Sequence, residues 1–177
     1  MAVRIGTSLL DVAVEVLVAD PAASLAEVAE AAGMGRTTLH KHYATRDDLM
    51  RAVAHRAIDR WEEAIEAAEH AGASLESLAE AMVPIGPHLA FLWRNPIFDH
   101  VEDINQRWAK VEPQCLTILR RAQDEGDLRA DVPEYWLLQT FYSLVYVAAE
   151  SVQSGHLARR DAPPRVVDTL RHGLGAR

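Results

Sequence analysis

The stretch from Ser24 to Asp48 constrains the fold of this chain most, because it carries two helix-start signals around a glycine. Ser24 and Glu27 have the spacing of a capping box, in which a hydroxyl and a carboxylate satisfy free backbone amides at a helix start. Thr45 and Asp48 repeat that spacing. Gly33 lies between them and can adopt the left-handed conformation that ends a helix. We therefore expect two short helices joined by a tight turn, with a longer helix beyond.

The second of these short helices has a polar outer face that lacks acids. It should run from about Gly35 to Tyr43, with Leu39 and Tyr43 pointing inward, and no Asp or Glu occurs between Gly35 and Arg46. A helix-turn-helix places such a helix in the major groove of DNA, where basic and hydroxyl side chains bind bases and phosphates. The candidate DNA-contacting residues are Ser24, Arg36, Thr37, Thr38, His40, Lys41, His42 and Arg46.

The overall charge limits what kind of DNA binding is expected. The formal net charge of the 177 residues is −8, and residues 1–50 contain four Lys or Arg against seven Asp or Glu. General affinity for nucleic acid comes from cations on phosphates, so non-specific coating of DNA is not expected. The composition indicates specific binding by a small reading surface.

The rest of the chain has helical periodicity, and no segment has the alternation of a strand. Proline and glycine mark the breaks, at Asp20-Pro21, between Pro84 and Pro87, at Asn95-Pro96 and at Gly126, and Pro113 should bend one helix. The sequence predicts an all-α fold. The expected helices span about residues 3–19, 24–32, 35–43, 46–71, 74–83, 88–94, 98–125, 134–154 and 164–174.

Compartment and membrane association follow from simple features. A single cysteine, Cys115, cannot form an intrachain disulfide and fits a reducing cytoplasm. The longest apolar run near the start is too short to span a bilayer, and no signal-peptide pattern is present. We expect a cytoplasmic, soluble protein with no membrane partner.

The segment from Ile5 to Leu49 resembles the DNA-binding domain of the TetR family of bacterial transcriptional regulators. The matching motifs are VAEAAG, GRTTLHKHY and TRDDL, with His40 where tyrosine is usual. The resemblance implies an N-terminal three-helix helix-turn-helix DNA-binding domain, residues 1–46. It also implies a C-terminal helical ligand-binding and dimerisation domain, residues 47–177, and a homodimer on palindromic operator DNA.

The resemblance also assigns the dimer interface to the last two helices, in a four-helix bundle. The matching segments here are about residues 134–154 and 164–174. Candidate interface residues are Tyr135, Leu138, Ser143, Val147, Glu150, Val166 and Leu170.

A ligand pocket is expected among the C-terminal helices, where bulky residues are numerous and the prolines at 84 and 87 disrupt regular packing. An aromatic or hydrophobic small-molecule effector is the expectation, and most of these bulky residues are expected to be core. The candidates are Met82, His88, Leu89, Trp93, Phe98, Val101, Ile104, Trp108, Cys115, Phe141, Tyr142 and Tyr146.

Catalysis, a cofactor and a metal are not expected. The chain has no nucleophile elbow, phosphate loop or H-E-x-x-H motif. Its His, Cys and acidic residues near position 100 lack metal-ligand spacing. The leading interpretation is a ligand-responsive repressor. The alternative is an all-α small-molecule-binding or catalytic protein whose helix-turn-helix is only structural.

Overall fold

Helices make up all the regular structure in the computed structural model of this protein, which describes residues 8–174. The all-α prediction is confirmed for this part of the chain. Three short 3-10 turns, Val83–Ile85, Pro96–His100 and Arg159–Asp161, connect some of the helices. The nine described helices are α1 Leu9–Ala19, α2 Leu25–Ala31, α3 Arg36–His42, α4 Arg46–His70, α5 Leu75–Met82, α6 Gly86–Trp93, α7 Glu102–Asp124, α8 Glu134–Gln153 and α9 Ala162–Leu174.

Both predicted capping boxes are present. At the start of α2, the Ser24 hydroxyl accepts from the Glu27 amide at 3.3 Å, and the Glu27 carboxylate accepts from the Ser24 amide at 2.7 Å. At the start of α4, Thr45 and Asp48 make the same pair at 3.1 and 2.9 Å. The helix starts are fixed within four residues of sequence, which is why the pattern alone could locate them.

The turn between α2 and α3 is a Schellman motif. Gly33 has φ 68°, the left-handed conformation that glycine adopts without steric penalty. The Gly33 amide donates to the Glu30 carbonyl and the Met34 amide to the Ala29 carbonyl, both at 2.9 Å. The turn brings α3 directly against α2.

Four helix starts differ from the predicted ones by two residues or more; one is that of α9, which begins at Ala162 instead of residue 164. Ser8 is extended and caps α1 with Asp11, so the described helix begins at Leu9; residues 3–7 of the predicted helix lie outside the described residues. Helix α6 begins at Gly86 because the 3-10 turn Val83–Ile85 absorbs the break. Helix α7 begins at Glu102 instead of Phe98, since Pro96–His100 forms a 3-10 turn and Val101 is extended. Apolar spacing does not distinguish a 3-10 turn from a first helical turn.

Helix α4 is the central element of the molecule. It packs against α1, α5, α6 and α7, while α8 packs against α6, α7 and α9. Among residues 8–174, no helix has both the length and the hydropathy to cross a membrane. The apolar side chains of α4 at steps of three and four are buried, at Leu49, Val53, Ala57, Trp61, Ala64 and Ala68.

Candidate DNA-binding surface and aromatic cavity

Helix α3 is anchored by one apolar residue and presents polar side chains on its other faces. Leu39 is fully buried, and Tyr43 is half-buried at the helix end. Neither Arg36 nor Lys41 forms an ion pair with any described residue, so both cations are available to another molecule. The predicted DNA-contacting side chains on this helix are all exposed: Arg36, Thr37, Thr38, His40, Lys41 and His42.

The two predicted contacts outside α3 have structural partners. Ser24 is exposed and caps α2. Arg46 is half-buried, and its guanidinium donates to the carbonyls of Ala23 and Pro21, the latter at 2.5 Å. Arg46 therefore fixes the loop between α1 and α2 against the start of α4, a role that sequence spacing did not indicate.

A cavity of about 220 Å³ lies between α4, α6, α7 and α8. Five predicted pocket residues line it, and Leu92 continues its wall from α6. Sequence reasoning missed Ile58, Asn105 and Gln139; the two carboxamides lie close in sequence to Trp108 and Tyr142, which is the only signal that could have indicated them. The predicted residues that line the cavity are Trp93, Phe98, Ile104, Trp108 and Tyr142.

The other predicted pocket residues lie elsewhere. His88 binds Asp11 and Tyr146 binds Arg94, while Val101 is half-buried beside the 3-10 turn. The remaining four are core residues outside the cavity lining: Met82, Leu89, Cys115 and Phe141.

Two of the lining rings, Trp108 and Tyr142, form a cluster with the buried Trp61, which does not line the cavity. The Trp61 ring lies edge-on to Tyr142 at 5.0 Å between centroids, and Trp108 lies 5.6 Å from Trp61 and 6.0 Å from Tyr142. The buried Tyr142 hydroxyl and Trp61 Nε1 have no hydrogen-bond partner among the described residues. Such packing fixes the ring faces before any ligand arrives.

Burial also determines the reactivity of the cysteine thiol near Tyr142. Cys115 is fully buried, and burial raises the pKa of its thiol to about 12. The thiolate is the reactive form of cysteine, so Cys115 is a packing residue at neutral pH. Among the side chains that the structure describes, no three of His, Cys, Asp or Glu are grouped so as to hold a metal ion.

A partly buried ionic cluster joins α1 to α4 and α6. Arg56 donates to both carboxylate oxygens of Asp11, at 2.9 and 3.2 Å, and His88 Nε2 lies 3.1 Å from the same carboxylate. Burial raises the pKa of Asp11, but hydrogen bonds from Arg56, His88 and Ser8 outweigh it and leave the pKa far below its usual range. Burial lowers the pKa of His88 in spite of Asp11, and Arg60 and Arg56 lower it further.

A second contact joins α6 to α1 at the other end of both helices. Arg94 donates to the Val18 carbonyl at 3.0 Å, to the Tyr146 hydroxyl at 2.6 Å and to Glu150 at 3.0 Å. Its neighbour Trp93 lines the cavity and lies 5.8 Å from the Tyr146 ring. Trp93, which lines the cavity, is thus the sequence neighbour of Arg94, which binds the end of α1.

Ion pairs also join the cavity helix α7 to α4. Asp103 pairs with His55 at 2.9 Å and with Arg51 at 3.4 Å. Arg107 donates to Asp59 at 2.7 Å and to Glu62 at 2.9 Å. Helix α4 begins directly after α3, which carries the exposed polar side chains. A shift of α7 would therefore change the position of α3 through α4.

Helix α8 exposes a stripe of large side chains. Trp136 is 62% exposed and Val147 is 56% exposed, and their spacing with Ser143 puts all three on one face. Tyr135 is 76% exposed beside them, and Glu150 is exposed while bound to Arg94. The other predicted interface residues are buried between helices of the same chain: Leu138, Val166 and Leu170.

Known proteins resemble this chain in sequence and in fold. Residues 9–53 match the family model for bacterial regulatory proteins of the tetR family. The HTH-type transcriptional repressor LfrR of Mycolicibacterium smegmatis is 30% identical over 177 aligned residues, which cover 97% of this chain and 88% of LfrR.

Solved structures of LfrR are similar over nearly the whole chain. The crystal structure of LfrR from Mycobacterium smegmatis in complex with proflavine superimposes with a TM-score of 0.80, at 28% identity, covering 94% of this chain and 93% of that one. A second crystal structure of LfrR from Mycobacterium smegmatis superimposes with a TM-score of 0.64 at 25% identity, covering 94% of this chain and 97% of that one. The described helix-turn-helix, the all-α body and this full-length similarity together show that the chain belongs to the TetR family of transcriptional regulators.

Proposed function

We propose that this protein is a ligand-responsive repressor that binds palindromic operator DNA as a homodimer. The observation that carries the proposal is the outer face of α3, where Arg36 and Lys41 are exposed and form no ion pair with any described residue. On an ordinary acidic surface, these cations would form ion pairs with neighbouring carboxylates. On a DNA-reading helix, they remain free to bind the nucleic acid.

The residues of α3 have complementary roles in this proposal. Arg36 lies at the helix start, where a guanidinium can donate two hydrogen bonds to a guanine edge. Thr37 and Thr38 can bond a base edge or pack on a thymine methyl group. His40, Lys41 and His42 lie towards the helix end, at the level of the flanking phosphates. Ser24 and Arg46 are proposed as phosphate contacts, with Arg46 keeping its bonds to the loop carbonyls.

The effector is proposed to be a flat aromatic molecule bound in the cavity. Four aromatic side chains and two carboxamides line it, and the lining residues that the structure describes include no Lys, Arg, Asp or Glu. Such a surface favours stacking and edge hydrogen bonds and offers no counter-charge to an anion. The proflavine complex of LfrR supports this class of ligand, and proflavine is a suitable probe for this chain.

The described arrangement of helices is proposed to correspond to the effector-bound state. The support is the TM-score of 0.80 with the proflavine complex of LfrR against 0.64 with the second LfrR structure, at equal coverage of this chain. In the proposal, an effector shifts the equilibrium towards this arrangement by binding it better than the DNA-bound one. Helices α7 and α4 move together through Asp103 and Arg107.

The homodimer is proposed to form through the exposed face of α8. A symmetric dimer would place two α3 helices about 34–36 Å apart, or a multiple of it, on one face of DNA. Binding to operator DNA also places the protein in the cytoplasm. The DNA-binding domain is proposed to be residues 1–46 and the ligand-binding domain residues 47–177.

Fluorescence anisotropy tests the DNA-binding part of the proposal. The labelled duplex is the region upstream of the protein's own gene, titrated at several salt concentrations. Wild type should bind with a steep salt dependence, and Arg36→Ala with Lys41→Ala should weaken binding at least tenfold and flatten the salt slope by about one or two.

The matched control removes two exposed cations from the other domain, Lys110→Ala with Arg160→Ala. Its net charge equals that of the α3 double variant, so an effect of charge alone would appear in both. Equal binding by wild type and the α3 variant would favour the alternative, an all-α small-molecule-binding or catalytic protein with a structural helix-turn-helix.

A further inference from the structure

Helix α6 is bound to α1 at two places, about two turns apart on each helix. His88, in the first half of α6, binds Asp11 of α1 at 3.1 Å. Arg94, immediately after α6, binds the Val18 carbonyl of α1 at 3.0 Å. Since α1 belongs to the proposed DNA-binding domain and α6 forms part of the cavity wall, these contacts cross between the two functions.

The contact of Arg94 with Val18 has a clear electrostatic basis. The last carbonyls of a helix lack intrahelical partners and carry partial negative charge, which a cation stabilises. Helix α1 has no basic residue in its own last turn. Arg94 supplies that cation from the other domain.

Arg94 is also bound to the body of the protein beside the cavity. Its guanidinium lies 5.6 Å from the centroid of the Tyr146 ring, donates to the Tyr146 hydroxyl and pairs with Glu150. Trp93, which lines the cavity, packs on the same Tyr146 ring. A ligand that orders Trp93 therefore also orders, through the Tyr146 ring, a partner of Arg94.

We propose that Arg94 is a positioning residue that holds α1 in the effector-bound arrangement, and that its bond to the Val18 carbonyl is released when the protein binds DNA. The inference rests on the proposed function, in which the described arrangement is the effector-bound one. A contact made in only one of two states stabilises that state. Loss of the Arg94 side chain should therefore favour DNA binding and oppose effector binding.

The opposite signs of these two changes separate a switch residue from a merely structural one. By linkage, a shift of the equilibrium towards the DNA-bound arrangement strengthens DNA binding and weakens effector binding. A variant that is only destabilised would lose both. We expect Arg94→Gln to bind the upstream duplex about three- to tenfold more tightly without effector and to bind proflavine more weakly by a similar factor.

The matched control is Arg120→Gln. Arg120 lies on α7, and its partner Glu134 lies on α8, the helix that also carries Glu150, the partner of Arg94. Arg120 binds Glu134 at 2.6 Å, as Arg94 binds Glu150, but it makes no contact with α1. Arg94→Lys is the second variant, since it keeps a cation near the end of α1 and should lie between wild type and Arg94→Gln.

The experiment is a pair of titrations for each full-length variant. DNA affinity is measured by anisotropy without effector, and proflavine affinity is measured without DNA by quenching of tryptophan fluorescence. Tighter DNA binding with weaker proflavine binding in Arg94→Gln, and wild-type values in Arg120→Gln, would support the inference.

Unchanged affinities in Arg94→Gln, or parallel losses of both, would overturn it. If Arg94→Gln does not fold, the same criteria apply to Arg94→Lys. Wild type that fails to bind the duplex would instead overturn the proposed function, and this inference with it.

Discussion

At the scale of single residues, Asp11 shows how a partly buried charge of one helix can be stabilised by side chains of two others. Its carboxylate is held by a bidentate guanidinium from Arg56, by His88 and by the Ser8 amide. A bidentate arginine is the strongest partner that a carboxylate finds in proteins. Removing one partner would leave the remaining, partly buried charges less well compensated, so this cluster is expected to be sensitive to substitution and to pH.

His88 should make the stability of the protein fall on mild acidification. Its pKa in the folded state is below its ordinary value of 6.5, chiefly because of burial, so the unfolded chain binds a proton at a pH where folded His88 does not. Stability is then lost as the pH falls below about 6.5. The depressed pKa of Asp11 acts in a separate window, below its ordinary value of 3.8.

Urea denaturation at pH 7.5 and pH 5.5 checks this prediction. We expect the urea midpoint of wild type to fall between these pH values, and that of His88→Gln to fall less, because glutamine can still donate to Asp11 without titrating. The same fall in both proteins would show that His88 does not cause it.

At the scale of helices, α6 and α8 cross so closely that only glycine fits at the crossing. A Cβ atom added to Gly86 would lie 2.1 Å from the Cβ of Ala149 and 3.6 Å from the Val145 carbonyl oxygen. Both helices contribute to the cavity, through Leu92 and Tyr142. The crossing therefore fixes the spacing of two helices that also line the cavity.

Gly86→Ala should lower the free energy of unfolding by about 1–3 kcal/mol, because one helix must move away from the other. Gly173→Ala is the control: Gly173 also lies in a helix, but a Cβ there would have no heavy atom within 4 Å. Chemical denaturation should give that control a stability equal to or slightly above that of wild type. A Gly86→Ala protein as stable as the control would show that the crossing is not tight.

The helices differ in how well their sequences predicted them. The starts of α2 and α4 were predicted because a capping box is local, and the turn at Gly33 was predicted because glycine tolerates positive φ. The start of α7 was not predicted, because within a single turn a 3-10 helix and an α-helix both bring residues i and i+3 to one face. Local sequence signals determine that a helix forms, whereas the position of its first turn depends on the elements that it packs against.

The cavity could be predicted only in part, for a related reason. Periodicity identifies the buried face of a helix, but it does not separate a core residue such as Met82 from a cavity residue such as Trp108. Gln139 and Asn105 were missed because polar residues are usually exposed. Which buried residues surround a space depends on how four helices meet, and no single helix contains that information.

At the scale of the whole molecule, the exposed face of α8 is the surface proposed to hold two subunits together. A Trp that is 62% exposed is unusual on a monomer surface, and aromatic side chains commonly anchor protein interfaces. Trp136→Glu should shift the protein from dimer to monomer in sedimentation velocity. Ile97→Glu, an equally exposed apolar residue on a 3-10 turn, should leave the dimer intact. Dissociation by both substitutions, or by neither, would place the interface elsewhere.

The central claim is that one molecule reads DNA with α3 and is released from it by a flat aromatic ligand in the cavity. The most direct measurement follows the dissociation of the protein from its upstream duplex by native gel shift as proflavine is added. Wild type should release the DNA, and Trp108→Leu should need at least threefold more proflavine, because one of the stacking faces is lost.

Both proteins meet the same dye and the same duplex, so binding of proflavine to DNA itself affects them equally. Thermal melting of Trp108→Leu establishes that the variant is folded. Release of wild type at lower proflavine concentrations than Trp108→Leu is the predicted result. Release at the same concentration in both proteins, or no release of wild type, would contradict the link between the cavity and the DNA-binding surface.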